Sequence, residues 1–293
     1  MLSRLSYLEI INNKEKWVIL EGGISNSIYK YNNYVIKIIN KQNNNLFVIL
    51  SNYYKILEKL DTTTYIDSND NIIIENYIEG NTISNKELFS KDFCFRIFDL
   101  IDNYILNLNF DIPKTNVIKI YVEKLSEYLK KNQIFENEYI KMYNIVLPKI
   151  NKYFNSDNYE LCFSHNDIHK YNIIISNNNI LNLIDYEYSG YTWKYFDQSN
   201  FIVLLFNEAI TNKINIITKH NINEYFNFDF YFDILIKKYP EYTKEYFLDM
   251  MIISAYTWYL WALVKYDLNK DLMYINYSNQ IKFIIEHLLI FIH

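Results

Sequence analysis

The sequence contains few cysteines and no block of residues with one sign of charge. Its two cysteines, Cys94 and Cys162, each lie among apolar neighbours, which favours reduced core thiols in an intracellular protein over a disulfide framework or a thiolate metal site. Acidic residues outnumber basic ones by 34 to 29, which gives a formal net charge of −5. A general nucleic-acid-binding surface is therefore disfavoured, whereas a local phosphate site is not.

Very long hydrophobic runs are also missing. The longest, Met250 to Val264, follows Asp249 and is short for the roughly 30 Å of a bilayer's hydrocarbon core, so it predicts a buried helix. The first 16 residues lack the continuous apolar stretch of a signal peptide. We therefore expect a cytoplasmic protein with no membrane insertion. Because 50% of the 293 residues are apolar, one bilobal enzyme or two small domains could bury a sizeable core.

Glycine is scarce as well, and two of the four glycines, Gly22 and Gly23, are adjacent. They stand between two strand-like segments and are followed by Ser25 and Asn26. A glycine pair lets backbone amides approach phosphates, and the polar side chains add donors. Such a pair is often only a hairpin turn, but Lys37 on the next apolar strand changes the interpretation. Kinases place an ammonium group there, against the α- and β-phosphates.

The segments around Lys37 predict a small sheet with one helix. Strand-forming residues predict three strands, at Trp17–Leu20, Ser27–Tyr31 and Tyr34–Ile39. Apolar spacing predicts a helix over 45–60, but its middle lacks the glutamate that kinases usually pair with the strand lysine. Asn52 is the nearest polar residue there. We therefore expect Lys37 to be held by another carboxylate or by the nucleotide alone.

The next predicted strand, Ile72–Ile78, runs into a Glu-Gly pair before a helical half begins. This order is typical of the hinge between the lobes of a kinase. Backbone groups of Glu75, Tyr77 and Ile78 would then face the adenine of the nucleotide.

The spacing of His165, Asp167 and Asn172 is that of a kinase catalytic loop, H-x-D-x-x-x-x-N, with Asn in place of Arg at the second position. A predicted strand precedes the loop, and a predicted hairpin over 173–184 returns Asp185 beside it. Phosphoryl transfer needs one carboxylate to orient the attacking hydroxyl and oxygen ligands to hold magnesium. We assign Asp167 to the hydroxyl, Asn172 and Asp185 to Mg²⁺, and His165 to bracing the loop.

Helical spacing dominates the chain beyond residue 84, with a break at Pro113. It predicts core helices over 93–108, 117–129 and 139–153. Asp197 and Asn200 fall where a further helix begins, and capping that helix and bracing the catalytic loop is the role that we expect for Asp197. His169 is equally compatible with an exposed position.

Together these segments resemble the choline and ethanolamine kinases, within the broader group of aminoglycoside-phosphotransferase-like small-molecule kinases. The resemblance spans about residues 18–265 and rests on GGISN, FSHNDIHKYNIII, LIDYEYSGYTWKYFDQSNF and WYLW. The catalytic-loop segment identifies only the broad group, whereas the IDYEY stretch and the W-x-x-W pattern are more specific to choline-type enzymes. The resemblance implies a protein-kinase-like fold, ATP and Mg²⁺, and a product such as phosphocholine for surface glycans or phospholipids.

The same resemblance implies that aromatic side chains enclose the ammonium group of the acceptor, at Tyr188, Trp258 and Trp261. The two tryptophans are three residues apart on a predicted helix and share a face, and cation–π contact suits a trimethylammonium group. Tryptophan pairs at this helical spacing are also common in hydrophobic cores, so a core role is the alternative. Where the family commonly has an acid after its F-D-x-x-N run, this sequence has FIVLLF. Glu208 follows one turn later, and Glu187 is the other acid that could assist.

We predict an α+β, protein-kinase-like fold with a nucleotide-binding lobe at 1–78 and a mostly helical catalytic and acceptor-binding lobe at 79–293. The predicted reaction is phosphorylation of choline. Ethanolamine or another amino alcohol is the nearest alternative, which an acid-lined pocket would favour. An aminoglycoside-type kinase would have a more acidic and open C-terminal lobe. Against an inactive kinase-shaped binding module stands the joint presence of Asp167, Asn172 and Asp185.

Overall fold

The chain forms two compact units. A computed structural model describes residues 4–20, 26–39, 50–60, 63–67, 71–156, 158–213 and 226–292. The first unit comprises Met1–Ser84, Leu108–Pro113 and Lys170–Ser189, and the second comprises Asn85–Asn107, Lys114–His169 and Gly190–His293. A sheet-based first unit and a mostly helical second unit confirm the predicted α+β class. The predicted lobe boundary between residues 78 and 79 stays a prediction.

The first unit is built on a five-stranded antiparallel sheet with the strand order β1-β2-β3-β5-β4. Its strands are β1 (Val18–Ile19), β2 (Asn26–Tyr31), β3 (Tyr34–Ile39), β4 (Thr63–Asp67) and β5 (Ile72–Asn76). Ile36 and Ile74 are fully buried, as expected where β-branched side chains pack on a pleated surface. The predicted strands are confirmed to within two residues at each end. The edge strand β4 was missed because three of its five residues, Thr63, Thr64 and Asp67, are polar and give no apolar alternation.

Two helices of the first unit are described, α1 (Arg4–Asn12) and α2 (Leu50–Leu57). The sequence predicted only strands in this region before Lys37, so α1 is a correction. Long-range contacts hold α1 in place, because the ring of Tyr7 stacks on Tyr65 with centroids 4.1 Å apart and its hydroxyl donates to Asp67 at 2.9 Å. α2 confirms part of the helix predicted over 45–60, and residues 45–49 lie outside the described residues.

A second, three-stranded sheet of the first unit contains the predicted hairpin. Its strands, in the order β6-β8-β9, are β6 (Gly80–Thr82), β8 (Ile173–Ser176) and β9 (Leu181–Leu183). β6 lies so close to β8 that a Cβ atom at Gly80 would be 2.3 Å from the backbone oxygen of Ile175. The predicted Glu-Gly connector therefore ends in a glycine because the strands could not pair with a larger residue there.

The second unit is mostly helical. Its helices are α3 (Asn85–Leu88), α4 (Lys91–Asn103), α5 (Val117–Lys131), α6 (Glu136–Phe154), α7 (Phe196–Lys213), α8 (Phe228–Lys238), α9 (Lys244–Asn269) and α10 (Leu272–Leu288). A two-stranded antiparallel ribbon pairs β7 (Leu161–Ser164) with β10 (Gly190–Trp193). The helices predicted over 93–108, 117–129 and 139–153 are confirmed, with α4 ending earlier. Side-chain oxygens accept hydrogen bonds from backbone N–H groups at the starts of α4, α5 and α9, where the capping residues are Ser90, Asn116 and Thr243.

The long helix α9 is the core of the second unit. It is apolar and long enough to cross a membrane, but its most apolar 18-residue window is entirely buried inside the protein. α5, α7 and α10 all pack against it. The buried helix predicted from the run Met250 to Val264 is confirmed.

Candidate functional site

Lys37 is held by two carboxylates in the first unit. Its Nζ lies 2.9 Å from Oε2 of Glu75 and 3.3 Å from Oδ1 of Asp185, and its side chain is 5% exposed. Lys37 pairs with Ile73 across β3 and β5, so Glu75 is its diagonal neighbour on the same face of the sheet. Burial by itself would lower the pKa of Lys37, but Asp185 and Glu75 raise it well above its ordinary value. The ammonium group is therefore kept charged, as phosphate binding requires.

Glu75 supplies the acid that α2 lacks. The expectation that another carboxylate would hold Lys37 is confirmed by the contact from β5. The sequence also assigned backbone groups of Glu75, Tyr77 and Ile78 to the adenine ring, and this role stays a prediction. In the structure, the backbone N–H of Tyr77 donates to the carbonyl oxygen of Asn33 at 2.8 Å.

Asn172 and Asp185 lie at the same end of the β8–β9 hairpin. Ile173 pairs with Leu183, and the backbone N–H of Ile184 donates to the carbonyl oxygen of Asn172 at 3.0 Å. Asp185 has a left-handed backbone with φ of 67°. This conformation is uncommon in residues other than glycine and is concentrated at functional sites. The hairpin therefore brings together the two residues that the sequence assigned to magnesium.

These two side chains fit a metal ion that is shared with phosphates. In kinase sites Mg²⁺ is usually bound by one or two carboxylates together with phosphate oxygens and water. Within the described parts of the chain, no group of three or more His, Cys, Asp or Glu residues could form a site made only of protein ligands. An amide oxygen and a carboxylate at one end of a hairpin are the donor set that such a shared ion needs.

Part of the predicted phosphate loop lies outside the described residues. Gly22, Gly23 and Ser25 belong to that part, and Asn26 is the first residue of β2. Their roles in phosphate binding stay predictions.

The part of the predicted catalytic loop that contains His165 and Asp167 belongs to the second unit and is braced by α7. The carboxylate of Asp197 accepts hydrogen bonds from the backbone N–H groups of His165 at 2.7 Å and Asn166 at 2.8 Å. Burial raises the pKa of Asp197 to about 7, although both N–H groups lower it. Asn166 has a left-handed backbone with φ of 65°, and Asp167 follows it, 8% exposed. The bracing role predicted for Asp197 is confirmed, since both of its oxygens are used by the loop. The predicted capping role is corrected, because Asp197 is the second residue of α7 and its carboxylate accepts from the loop instead.

Two histidines contact Asp167. His165 is fully buried, and its Nδ1 accepts a hydrogen bond from the backbone N–H of Asp167 at 3.3 Å. This contact supports the assigned bracing role and leaves the ring proton of neutral His165 on Nε2. Nε2 of His169 lies 3.6 Å from Oδ2 of Asp167, and its side chain is 32% exposed. The sequence assigned no role to His169; its place two residues after Asp167 was the available signal.

A chain of hydrogen bonds connects α9 to the catalytic loop through Asn200 of α7. The side-chain amide of Asn200 donates to the carbonyl oxygen of Asn166 at 2.9 Å. Its Oδ1 accepts from Nε1 of Trp258 at 2.9 Å and from the hydroxyl of Ser254 at 2.6 Å. Trp258 is 8% exposed. The indole is therefore linked to the loop through Asn200, in addition to its predicted place in the acceptor pocket.

Trp258 also belongs to an aromatic cluster formed with Trp261, Tyr274 and Tyr277. Trp261 makes edge-to-face contacts with the other three rings, with centroids 5.8, 5.6 and 6.0 Å apart. Burial raises the pKa of Tyr277, and the nearby carboxylate of Asp167 raises it further. Sequence reasoning missed Tyr274 and Tyr277, whose spacing of three residues on one helix was the only local signal. The cluster thus contains both predicted tryptophans, and the charge of Asp167 acts on its member Tyr277.

Lys265 places a cation beside this cluster. Its Nζ lies 5.6 Å from the ring centroid of Trp261, and the residue is 2% exposed. The protein therefore uses the ring of Trp261 for a cation–π contact of its own.

The remaining predicted acceptor residues, Tyr188 and Glu187, lie in the first unit. They form a 3-10 turn directly after Asp185 and are 7% and 5% exposed. Glu208, the first acid after Asn200, lies on α7 and is partly exposed. Roles of Tyr188 and Glu187 in acceptor binding stay predictions.

Comparison with solved structures identifies the fold. The choline kinase LicA from Streptococcus pneumoniae has a TM-score of 0.66 and 19% identity, covering 98% of this chain and 99% of that chain. A Plasmodium vivax ethanolamine kinase has a TM-score of 0.67 and 15% identity, covering 94% and 83%. The ADP-bound aminoglycoside phosphotransferase APH(2″)-Ib has a TM-score of 0.54 and 17% identity, covering 95% and 97%. These likenesses confirm the predicted protein-kinase-like fold.

Comparison with protein families identifies the group to which the chain belongs. No curated protein sequence matches the chain. The family model described as choline/ethanolamine kinase, in contrast, matches residues 18–284, which is most of the chain. The matched region contains both carboxylates around Lys37, the catalytic loop with its braces and the aromatic cluster. The chain therefore belongs to the choline/ethanolamine kinase family and is a phosphotransferase that acts on an alcohol group.

Proposed function

We propose that the chain transfers the γ-phosphoryl group of ATP to the hydroxyl group of choline. The observation that carries this proposal is that the carboxylate of Asp167 is near enough to raise the pKa of Tyr277, whose ring contacts Trp261 in the aromatic cluster of the same unit. A choline molecule with its trimethylammonium group against these rings would direct its hydroxyl group toward the carboxylate. Because that ammonium group donates no hydrogen bonds, aromatic faces suit it better than polar side chains do.

Asp167 would accept a hydrogen bond from the attacking hydroxyl and take up its proton as the new oxygen–phosphorus bond forms. The bond between the γ-phosphorus and the bridging oxygen breaks, and ADP leaves. The loop braces supplied by Asp197 and Asn200 would hold the carboxylate in the orientation that this proton transfer needs. Nε2 of His169, 3.6 Å from Oδ2 of Asp167, is a second ring nitrogen close to this carboxylate.

On the nucleotide side, Lys37 would contact phosphate oxygens, as its buried and charged ammonium group allows. Asn172 and Asp185 would hold Mg²⁺, which when bound neutralises charge on the phosphates. LicA has also been solved in complex with AMP, which supports a nucleotide site in this fold. We expect the enzyme to act in the cytoplasm, where ATP and a small alcohol are both available.

Ethanolamine is the second candidate acceptor. It is favoured by the buried carboxylate of Glu187, because a primary ammonium group donates hydrogen bonds to carboxylates. A Glu187→Gln variant should then lose more activity toward ethanolamine than toward choline. Equal losses would argue against a role of Glu187 in choosing the acceptor.

A coupled assay of ADP release tests the proposal with choline, ethanolamine and kanamycin as acceptors. We expect the highest kcat/KM for choline. Asp167→Asn should lower kcat by roughly 10²–10⁴-fold, the usual contribution of a positioned general base. Asp111→Asn, at an exposed position, is the matched control and should retain activity. Absence of turnover with every amino alcohol, or an Asp167→Asn variant as active as wild type, would refute the proposal.

A further inference from the structure

The hydroxyl group of Tyr53 is buried without a hydrogen-bond partner among the residues that the structure describes. Tyr53 lies on α2 and is 2% exposed. A hydroxyl group that is removed from water and left unpaired is costly, so such groups usually meet a ligand or water. α2 packs against the 3-10 turn Tyr186–Tyr188, which directly follows Asp185. The unpaired hydroxyl group therefore lies on the helix that packs against the turn directly after Asp185, a predicted metal ligand.

The charged groups around Lys37 act electrostatically on this hydroxyl group. Burial raises the pKa of Tyr53 well above its ordinary value; Lys37 lowers it, and Asp185, Glu75 and Glu187 raise it. The phenol therefore stays protonated and remains a hydrogen-bond donor. Lys37 is already paired with both Glu75 and Asp185. A ligand that enters here and offers acceptor oxygens would satisfy the hydroxyl group without disturbing those pairs.

We propose that Tyr53 is a nucleotide-binding residue whose hydroxyl group donates a hydrogen bond to a phosphate oxygen of the nucleotide held at Lys37. Phosphate oxygens only accept hydrogen bonds, and bonds to charged acceptors are the strong ones. The inference rests on nucleotide binding in the proposed function. It also gives a reason for the absence of an acid on α2: Glu75 of the sheet pairs with Lys37, which leaves the helix position for a neutral donor.

Binding measurements without turnover test this inference. Isothermal titration calorimetry would compare adenosine, AMP and ADP, each with Mg²⁺, on wild type and Tyr53→Phe. We expect Tyr53→Phe to weaken ADP binding about tenfold, since one hydrogen bond to a charged group is lost. Adenosine affinity should be unchanged. Because the removed hydroxyl has no hydrogen-bond partner among the described residues, the Tm without ligand should be equal to that of wild type or higher.

Tyr54→Phe is the matched control. Its ring is stacked 6.3 Å from that of Tyr53 on the same helix, but the pKa of Tyr54 is raised by burial and by Asp67 rather than by the groups around Lys37. We expect Tyr54→Phe to bind ADP like wild type. A similar loss in both variants would indicate a general effect of the helix and would overturn the inference.

The outcomes separate this inference from the proposed function. If no amino alcohol is phosphorylated but Tyr53→Phe loses ADP affinity selectively, the inference stands and the acceptor assignment fails. Unchanged ADP affinity in Tyr53→Phe overturns the inference even when choline is phosphorylated. A parallel loss of adenosine and ADP affinity, or a lower Tm without ligand, also overturns it, because it assigns a structural role to the hydroxyl.

Discussion

Single side chains set the electrostatics around the candidate residues of each unit. Lys37 and Glu75 form a buried ion pair, and breaking such a pair by removing one partner costs about 3–5 kcal/mol, because it leaves an unpaired buried charge. Asp185 makes the second contact with Lys37 from a backbone conformation that few residues adopt. The charge at Lys37 is thus maintained by its surroundings before any nucleotide binds.

The single residue Asp197 makes the free energy of unfolding depend on pH. Its pKa is about 7 in the folded protein, against 3.8 for an ordinary aspartate. The folded state therefore binds more protons between these values, so the free energy of unfolding falls as pH rises from about 4 to about 7. Across this pH range, Asp197 changes the free energy of unfolding by at most about 4 kcal/mol.

We predict that Asp197→Asn flattens this part of the pH profile, which urea unfolding from pH 4 to pH 8 would measure. Asn offers one acceptor oxygen where Asp offers two, so the catalytic loop loses one backbone contact and kcat falls as well. Asp111→Asn, which is exposed, should retain the wild-type profile. A wild-type slope in Asp197→Asn would show that another group titrates in this window.

Secondary-structure elements join the acceptor region to the catalytic loop. α9 supplies Trp258 and Ser254, and α7 supplies Asn200, which holds the carbonyl oxygen of Asn166. Trp258 and Trp261 are neighbours on α9 but have different contacts: Trp258 donates a hydrogen bond to Asn200, and the ring of Trp261 contacts Tyr274 and Tyr277. The two tryptophans should therefore affect the reaction differently.

We predict that Trp258→Phe lowers kcat about tenfold, since losing one neutral hydrogen bond costs about 1 kcal/mol and loosens the loop. Its KM for choline should change little because an aromatic ring remains. Trp261→Ala should instead raise the KM for choline about tenfold or more and leave the KM for ATP unchanged. Steady-state kinetics with both substrates varied would measure this. Identical effects of the two variants would mean that both residues serve only the core.

At the scale of the whole molecule, nucleotide binding should stabilise the folded chain. A ligand that binds only the native state at 100 times its Kd adds about 2.7 kcal/mol. We predict that ADP with Mg²⁺ raises the Tm of wild type, measured by differential scanning fluorimetry. Lys37→Met should remove this shift, because the buried ammonium group is the proposed phosphate contact. A shift as large as that of wild type in Lys37→Met would place the nucleotide elsewhere.

Prediction of the fold succeeded where the sequence pattern is local. It failed where an element depends on contacts with residues that are distant in the sequence. Strands β2 and β3, helices α5 and α6 and the β8–β9 hairpin all have regular apolar spacing, and all were predicted. α1 was missed because Tyr7 is held by Tyr65 and Asp67, far away in the sequence. β10 was missed because it pairs with β7 across more than twenty residues. The helix α10, which carries Tyr274 and Tyr277, was also not predicted, so the aromatic cluster was known only in part.

The sequence by itself determined the family, the fold and the order of the chemical groups: a lysine on a strand, the H-x-D-x-x-x-x-N loop, and an aspartate after a hairpin. These features are local, so spacing along the chain is enough to recognise them. Only the tertiary structure decided which carboxylate meets Lys37, that Asn200 also holds the catalytic loop, and that Trp258 donates a hydrogen bond to Asn200. The physical reason is that partners of buried polar groups are chosen by strand register and helix packing, which bring together residues that are distant in sequence.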